Sequence, residues 1–176
     1  MKRRSTARVA LVALAFAVPA GLPRAEGPAA APLTVGDEAG KLRPCPAKAW
    51  EALPRRKVEV KEGGGTARYE GVPLHELLRF AGVPFGKHPR GERTAEYVLV
   101  EAADGYRAVL ALAEVDPALT DHLVLLADRV DGKPLAEGAG PYRLVVPQDK
   151  LRSRWVKRVH RVTVHRPAGA GGPRPK

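Results

Sequence analysis

Cysteine, aromatic residues and long apolar runs are all scarce in this chain of 176 residues. The single cysteine, Cys45, excludes an intramolecular disulfide. No apolar run approaches the roughly 20 residues that a membrane-spanning helix needs, so we predict no transmembrane segment. The formal net charge of +11 favours anionic ligands or envelope surfaces. The few aromatic residues and the lack of a recognised binding motif argue against nucleic acid as the partner.

Histidine and serine form no recognisable catalytic pattern. The spacing of the five histidines is not typical of a zinc site, and no histidine and aspartate pair accompanies Ser153 in the sequence. From these residues we predict no catalytic group and no metal ligand. His75 falls beside the apolar face of a predicted helix, so we expect it to be solvated. The histidines are His75, His88, His122, His160 and His165.

The first twenty residues are typical of a cleaved signal peptide. Lys2, Arg3 and Arg4 precede an apolar run, residues 9–19, that is too short to anchor the chain in a bilayer, and small residues follow. We therefore expect a periplasmic or secreted protein. The predicted organisation is a signal peptide over residues 1–20, a flexible lead-in over 21–32, one domain over 33–165 and a disordered basic tail over 166–176.

Two Asp-Gly pairs, 104–105 and 131–132, predict hairpin turns, because both residue types tolerate a positive φ. A run of three glycines, 63–65, predicts a third hairpin. Cys45 lies between two prolines, so we expect no regular structure until after it. Alternating apolar residues predict strands over 33–35, 57–61, 66–69, 97–102, 107–110, 123–129, 142–146 and 159–164, and helical periodicity predicts helices over 47–53, 72–82 and 112–117.

Positive side chains are concentrated between residues 148 and 161, in a segment that joins two predicted strands. Convergent guanidinium groups beside backbone N–H groups are what a phosphate site requires. A solvated basic face would have the same composition, and the residues alone do not separate the two interpretations. The positive residues are Lys150, Arg152, Arg154, Lys157, Arg158 and Arg161.

A series of short motifs runs from about Leu42 to Val164. They are YEGVPLHELL at 69–78, ADGY at 103–106, LLA at 125–127, DGKPL at 131–135, GPYRLVVP at 140–147 and RWVKRV at 154–159. In order and spacing this series resembles the molybdopterin-binding domain of the sulfite oxidase family. The resemblance implies an α+β fold: a single mixed-sheet domain with a few short helices.

The resemblance also implies a cofactor. In that family a basic pocket with backbone amides holds molybdopterin, and a cysteine thiolate ligates molybdenum, which transfers oxygen atoms or electrons. Residues 152–157 match the stretch that binds the pterin phosphate. The cofactor-binding residues that this implies are Lys150, Arg152, Arg154 and Lys157.

The sequence departs from the family at the metal ligand. The family cysteine follows an element ending in Leu-Pro, here Leu53-Pro54, and precedes the helix matched at 72–81; no cysteine lies between these points, and Cys45 lies before them. The sequence therefore leaves open whether the protein is an enzyme. Three hypotheses follow: a non-catalytic exported module that binds an anionic small molecule or an envelope protein, a periplasmic molybdenum-cofactor oxidoreductase, and a purely structural interaction domain.

Overall fold

Residues 32–86 and 94–167 are described by the computed structural model of the protein. The predicted signal peptide, all but one residue of the lead-in, His88 and most of the predicted tail lie outside these residues. The elements are β1 (Leu33–Gly36), β2 (Leu42–Cys45), α1 (Ala47–Ala52), β3 (Arg56–Glu62), β4 (Gly65–Pro73), α2 (Leu74–Ala81), β5 (Tyr97–Ala102), β6 (Arg107–Ala111), α3 (Leu112–Val115), β7 (Leu125–Val130), β8 (Lys133–Pro134), β9 (Arg143–Val145), a 3₁₀ turn (Arg152–Arg154) and β10 (Val159–His165).

The strands form two sheets. In the first, the order is β2-β1-β10-β5-β6, and β10 runs parallel to β1 but antiparallel to β5. In the second, the order is β3-β4-β7-β8, with β9 also paired to β7, and every pairing is antiparallel. With three short helices among the described residues, this is the predicted α+β fold with mixed sheets.

The core collects apolar side chains from both sheets and from α2. Helix α2 buries Leu74, Leu77, Leu78 and Ala81, which recur at helical spacing on one face. Burying a leucine side chain contributes about 1.5–3 kcal/mol, so this short helix is held mainly by its packing. The helix ends at Gly82, whose φ of 103° is the left-handed conformation that glycine adopts without strain.

The three predicted hairpin turns are confirmed. Asp104-Gly105 joins β5 to β6, Asp131-Gly132 joins β7 to β8, and the glycine run joins β3 to β4. Asp131 has φ of 50°, in the region that such turns require of their central residues. Local turn chemistry therefore specified these three connections correctly.

Three local predictions are wrong. The helix predicted over 72–82 begins at Leu74, because Val72 and Pro73 complete β4 and pair with β7. The segment before Cys45 is regular: β2 pairs with β1, and its position at the sheet edge tolerates the missing amide of Pro44. His75 is only partly solvated; its side chain is 21% exposed, and burial lowers the pKa of its imidazole.

None of the helices in residues 32–86 and 94–167 has the length and apolar character needed to cross a membrane.

Candidate anion-binding site

The 3₁₀ turn, Arg152–Arg154, carries the centre of the basic segment. Directly after it, Trp155 and Val156 are buried, and the Trp155 indole Nε1 donates a hydrogen bond to the Val146 carbonyl oxygen at 3.0 Å. The Val156 carbonyl oxygen accepts a hydrogen bond from the Leu144 amide at 2.8 Å. These two anchors fix the position of the turn against the core.

A cleft of about 210 Å³ opens beside the turn. The β5–β6 hairpin forms its other side, and the Tyr106 hydroxyl donates a hydrogen bond to the Ser153 carbonyl oxygen. This bond ties the hairpin to the 3₁₀ turn. Two cations, one carboxylate and two aromatic rings meet in the cleft. The lining residues are Asp104, Tyr106, Arg152, Ser153, Trp155 and Lys157.

The Arg152 guanidinium also contacts the β3–β4 hairpin. Its Nη1 donates to Glu62 Oε1 at 2.6 Å, and its Nη2 donates to the Lys61 carbonyl oxygen at 2.5 Å. The guanidinium carbon lies 4.9 Å from the centre of the Trp155 ring, within cation–π range. Both terminal nitrogens of Arg152 are therefore engaged by the protein itself.

Behind Arg152 lies a second guanidinium. Arg143 Nη1 donates to the Tyr69 hydroxyl oxygen at 2.6 Å, and that hydroxyl donates to Glu62 Oε2 at 2.7 Å. The Arg143 guanidinium carbon lies 5.3 Å from the centres of both the Tyr69 and Trp155 rings. Burial, and then the hydrogen bond to Glu62, raises the pKa of Tyr69 to about 12, so its phenol stays protonated near neutral pH.

The Arg143 Nε is buried and has no hydrogen-bond partner among the described residues. A buried donor without an acceptor costs about 1–3 kcal/mol. The same side chain is 11% exposed and lies 3.8 Å, through Nη2, from Glu62 Oε1. The cluster Glu62–Tyr69–Arg143–Arg152 thus has one positive charge in excess and an unused donor.

The four predicted residues separate in space. Arg152 and Lys157 line the cleft, whereas Lys150 is exposed and is not among the lining residues. Arg154 is held away from the cleft: its Nε and Nη2 donate to Asp149 at 3.0 and 2.6 Å, and its Nη1 donates to Glu114 at 3.2 Å. The hydrogen bond to Asp149 raises the pKa of Arg154 further above its usual value. Each nitrogen of Arg154 is therefore already engaged by a carboxylate within the protein.

Sequence reasoning did not find Glu62, Tyr69 and Arg143. Tyr69 and Arg143 both lie inside motifs that carried the family resemblance, but 74 residues separate them, so no local pattern indicates their contact. Glu62 ends a strand of alternating charged residues and does not stand out within it.

Comparison with known proteins decides the family. A family model described as the oxidoreductase molybdopterin binding domain matches residues 45–170. The chain belongs to this family. Its fold is similar to that of the sulfane dehydrogenase SoxCD from Paracoccus pantotrophus, with a TM-score of 0.59 and 24% sequence identity, over 77% of this chain and 38% of that one. The chain thus spans less than half the length of the SoxCD chain that it matches. No curated protein sequence matches it.

The residues of this molybdopterin-binding domain do not fit a metal ligated by a protein thiolate. Cys45 is 2% exposed, lies on β2 and is not among the residues that line the cleft. Burial raises the pKa of its thiol, which favours the protonated form over the thiolate that a metal binds. Within the described ranges, no three His, Cys, Asp or Glu side chains are arranged to hold a metal ion.

The phosphate end of a molybdopterin fits better. Arg152 and Lys157 supply cationic donors in the cleft lining, whereas Arg143, with its unpartnered Nε, is not among the lining residues. Charge-assisted hydrogen bonds from guanidinium and ammonium groups are the strong contacts that phosphate oxygens make in proteins. The donor set therefore suits an anionic group.

Proposed function

We propose that this molybdopterin-binding domain is a non-catalytic module that binds an anionic small molecule in the cleft beside the 3₁₀ turn. The observation that carries the proposal is the convergence of Arg152 and Lys157 on one cleft, beside the Tyr106–Ser153 hydrogen bond that joins its two sides. The basic segment has other cations, but the fold directs Arg154 to two carboxylates. This site thus differs from a solvated basic face because two of its cations line one cleft, and its charge alone would not distinguish it.

The size of the cleft supports an anionic group as the bound part. Pockets that enclose a drug-sized ligand measure about 300–1,000 Å³, whereas this cleft measures about 210 Å³. It suits a phosphate with a small flat substituent, which Trp155 and Tyr106 can contact through their rings. The rest of a larger ligand, including a pterin, would lie outside the cleft.

The proposal includes the location inferred from the first twenty residues. A periplasmic or secreted protein with this charge would meet anionic metabolites and envelope proteins, and an envelope protein is the other partner that we propose. An oxidoreductase role is not part of the proposal, because Cys45 is buried away from the cleft lining.

The test is a thermal-unfolding titration of the full chain with inorganic pyrophosphate. We expect pyrophosphate to raise the melting temperature of the wild type, because a ligand that binds only the folded state stabilises it. Lys157→Met removes one charge-assisted hydrogen bond, worth about 1.5–3 kcal/mol, and should weaken binding roughly 10- to 100-fold. Lys150→Met is the matched comparison, since Lys150 belongs to the same basic segment but lies outside the cleft lining.

Two results would contradict the proposal. Equal weakening by Lys157→Met and Lys150→Met would indicate a diffuse basic surface and no built site. Elemental analysis giving about one molybdenum per chain, in protein purified from its own organism, would contradict the non-catalytic role and restore the oxidoreductase hypothesis.

A further inference from the structure

Glu62 is the last residue of β3, at the start of the glycine turn. Both of its carboxylate oxygens are engaged: Oε2 accepts from the Tyr69 hydroxyl at 2.7 Å, and Oε1 accepts from Arg152 Nη1 at 2.6 Å. Arg143 Nη2 lies 3.8 Å from Oε1. The carboxylate of Glu62, which is not itself among the residues that line the cleft, therefore already holds the Arg152 guanidinium to which an anion in the cleft would bind.

The geometry limits what the cleft can offer while Glu62 stays in place. Arg152 directs both terminal nitrogens to the β3–β4 hairpin, one to Glu62 and one to the Lys61 carbonyl oxygen. An anion in the cleft then meets Lys157 and a guanidinium that is already paired with a carboxylate. An anion that replaces Glu62 gains the charge-assisted hydrogen bond from Arg152 Nη1, which the carboxylate otherwise accepts.

Displacing Glu62 is physically accessible. Its side chain is 29% exposed, so the released carboxylate can be hydrated without crossing the core. The next two residues, Gly63 and Gly64, have φ of 59° and 83° and face open space, so the hairpin tip does not confine the side chain. The Tyr69 hydroxyl can remain a donor to whichever anion replaces the carboxylate.

We propose that Glu62 is an internal competitor that holds Arg152 when the cleft is empty and is displaced when an anionic ligand binds. This inference rests on the proposed function of the cleft. It also defines the ligand class: a carboxylate gains little by replacing another carboxylate, whereas a phosphate monoester brings a charge of about −1.5 to −2 and three acceptor oxygens. Glu62 thus selects phosphate over carboxylate ligands.

The experiment is isothermal titration calorimetry of the full chain with inorganic pyrophosphate and, separately, with acetate. Glu62→Gln keeps an acceptor for Tyr69 but removes the competing charge, and we expect about tenfold tighter binding of pyrophosphate. The wild type should not bind acetate measurably, and the relative gain in affinity from Glu62→Gln should be larger for acetate than for pyrophosphate. Glu59→Gln is the control, because Glu59 lies on the same strand but pairs with Arg68, whereas Glu62 pairs with Arg152.

A second variant at the same position keeps the inference testable if Glu62→Gln does not fold. Glu62→Asp keeps the charge but shortens the side chain by one methylene, so it should loosen the contact with Arg152 and give a smaller gain in the same direction. The urea midpoint of each variant shows whether it folds.

The two proposals fail differently. If the wild type binds pyrophosphate and both Glu62 variants bind it equally or more weakly, Glu62 positions Arg152 and does not compete, and only this inference is overturned. If neither the wild type nor any folded variant binds pyrophosphate, the proposed function fails, and this inference fails with it.

Discussion

Gly71 is the position at which the smallest substitution should have the largest effect. It lies on β4 opposite Ala127 of β7, where the register between the two strands shifts. A Cβ added to Gly71 would lie 2.1 Å from the Leu126 carbonyl oxygen and 2.5 Å from the Ala127 Cα. These are backbone atoms of a central strand, so no side-chain rotation relieves the overlap.

The cost of Gly71→Ala follows from that geometry. Carbon atoms pack at about 3.5–4.0 Å, so β4 and β7 must separate by more than about 1 Å. Losing two ladder hydrogen bonds costs about 1 kcal/mol each, and the overpacking strain adds about 1–3 kcal/mol. We expect the free energy of unfolding to fall by about 3–5 kcal/mol, a large part of the roughly 5–15 kcal/mol typical of a domain.

Gly65→Ala on the same strand is the matched control. The nearest atom to its added Cβ is the Glu62 carbonyl oxygen at 3.8 Å, an ordinary contact, so we expect a change within about 1 kcal/mol. In urea denaturation with a slope near 2 kcal/mol/M, Gly71→Ala should lower the midpoint by about 2 M. A drop below about 0.5 M, or one equal to that of Gly65→Ala, would refute the close approach of the two strands.

Two further predictions concern a thiol and a carboxyl. Native Cys45 should react with a thiol reagent at least about 100-fold more slowly than in guanidinium, because its side chain is 2% exposed; equal rates would contradict its burial. The hydrogen bond from Arg55 holds the pKa of Glu70 below its usual value. The stabilisation is complete above about pH 4.5 and is lost as the pH falls through the folded pKa. In the wild type the urea midpoint should therefore fall between about pH 5 and pH 3, and in Glu70→Gln it should fall less steeply. An equally steep fall in both proteins would contradict this role of Glu70.

The elements that the sequence predicted well are those whose conformation is determined by residues close together in the chain. Asp104-Gly105 and Asp131-Gly132 have turn conformations that few other residue pairs adopt, so the hairpins around them could be located without the fold. The apolar spacing of Leu74, Leu77 and Leu78 indicated α2 for the same reason. Pattern alone placed the start of α2 too early, because Val72 and Pro73 are apolar in either structure, and only pairing with β7 makes them strand residues.

The site was less predictable, for a physical reason. Charge density correctly directed attention to the basic segment, but Arg154 and Arg152 are chemically identical, and what separates them is which carboxylate lies within reach. Asp149 is five residues from Arg154, whereas Glu62 is 90 residues from Arg152. Contacts over such separations depend on how the two sheets meet, and a single sequence gives no measure of that.

The place of β10 in the first sheet has a consequence for how the chain folds. This last strand is the middle one of five, with β1 on one side and β5 on the other, and β1 comes from the other end of the described chain. Until β10 is made, β1–β2 and β5–β6 are separate two-stranded hairpins, and an isolated hairpin is marginally stable in water. Their union requires contacts between residues far apart in sequence, which slows folding. A chain that stops before Val159 should therefore lack the whole first sheet, and during synthesis both hairpins stay without their shared partner until β10 has been made.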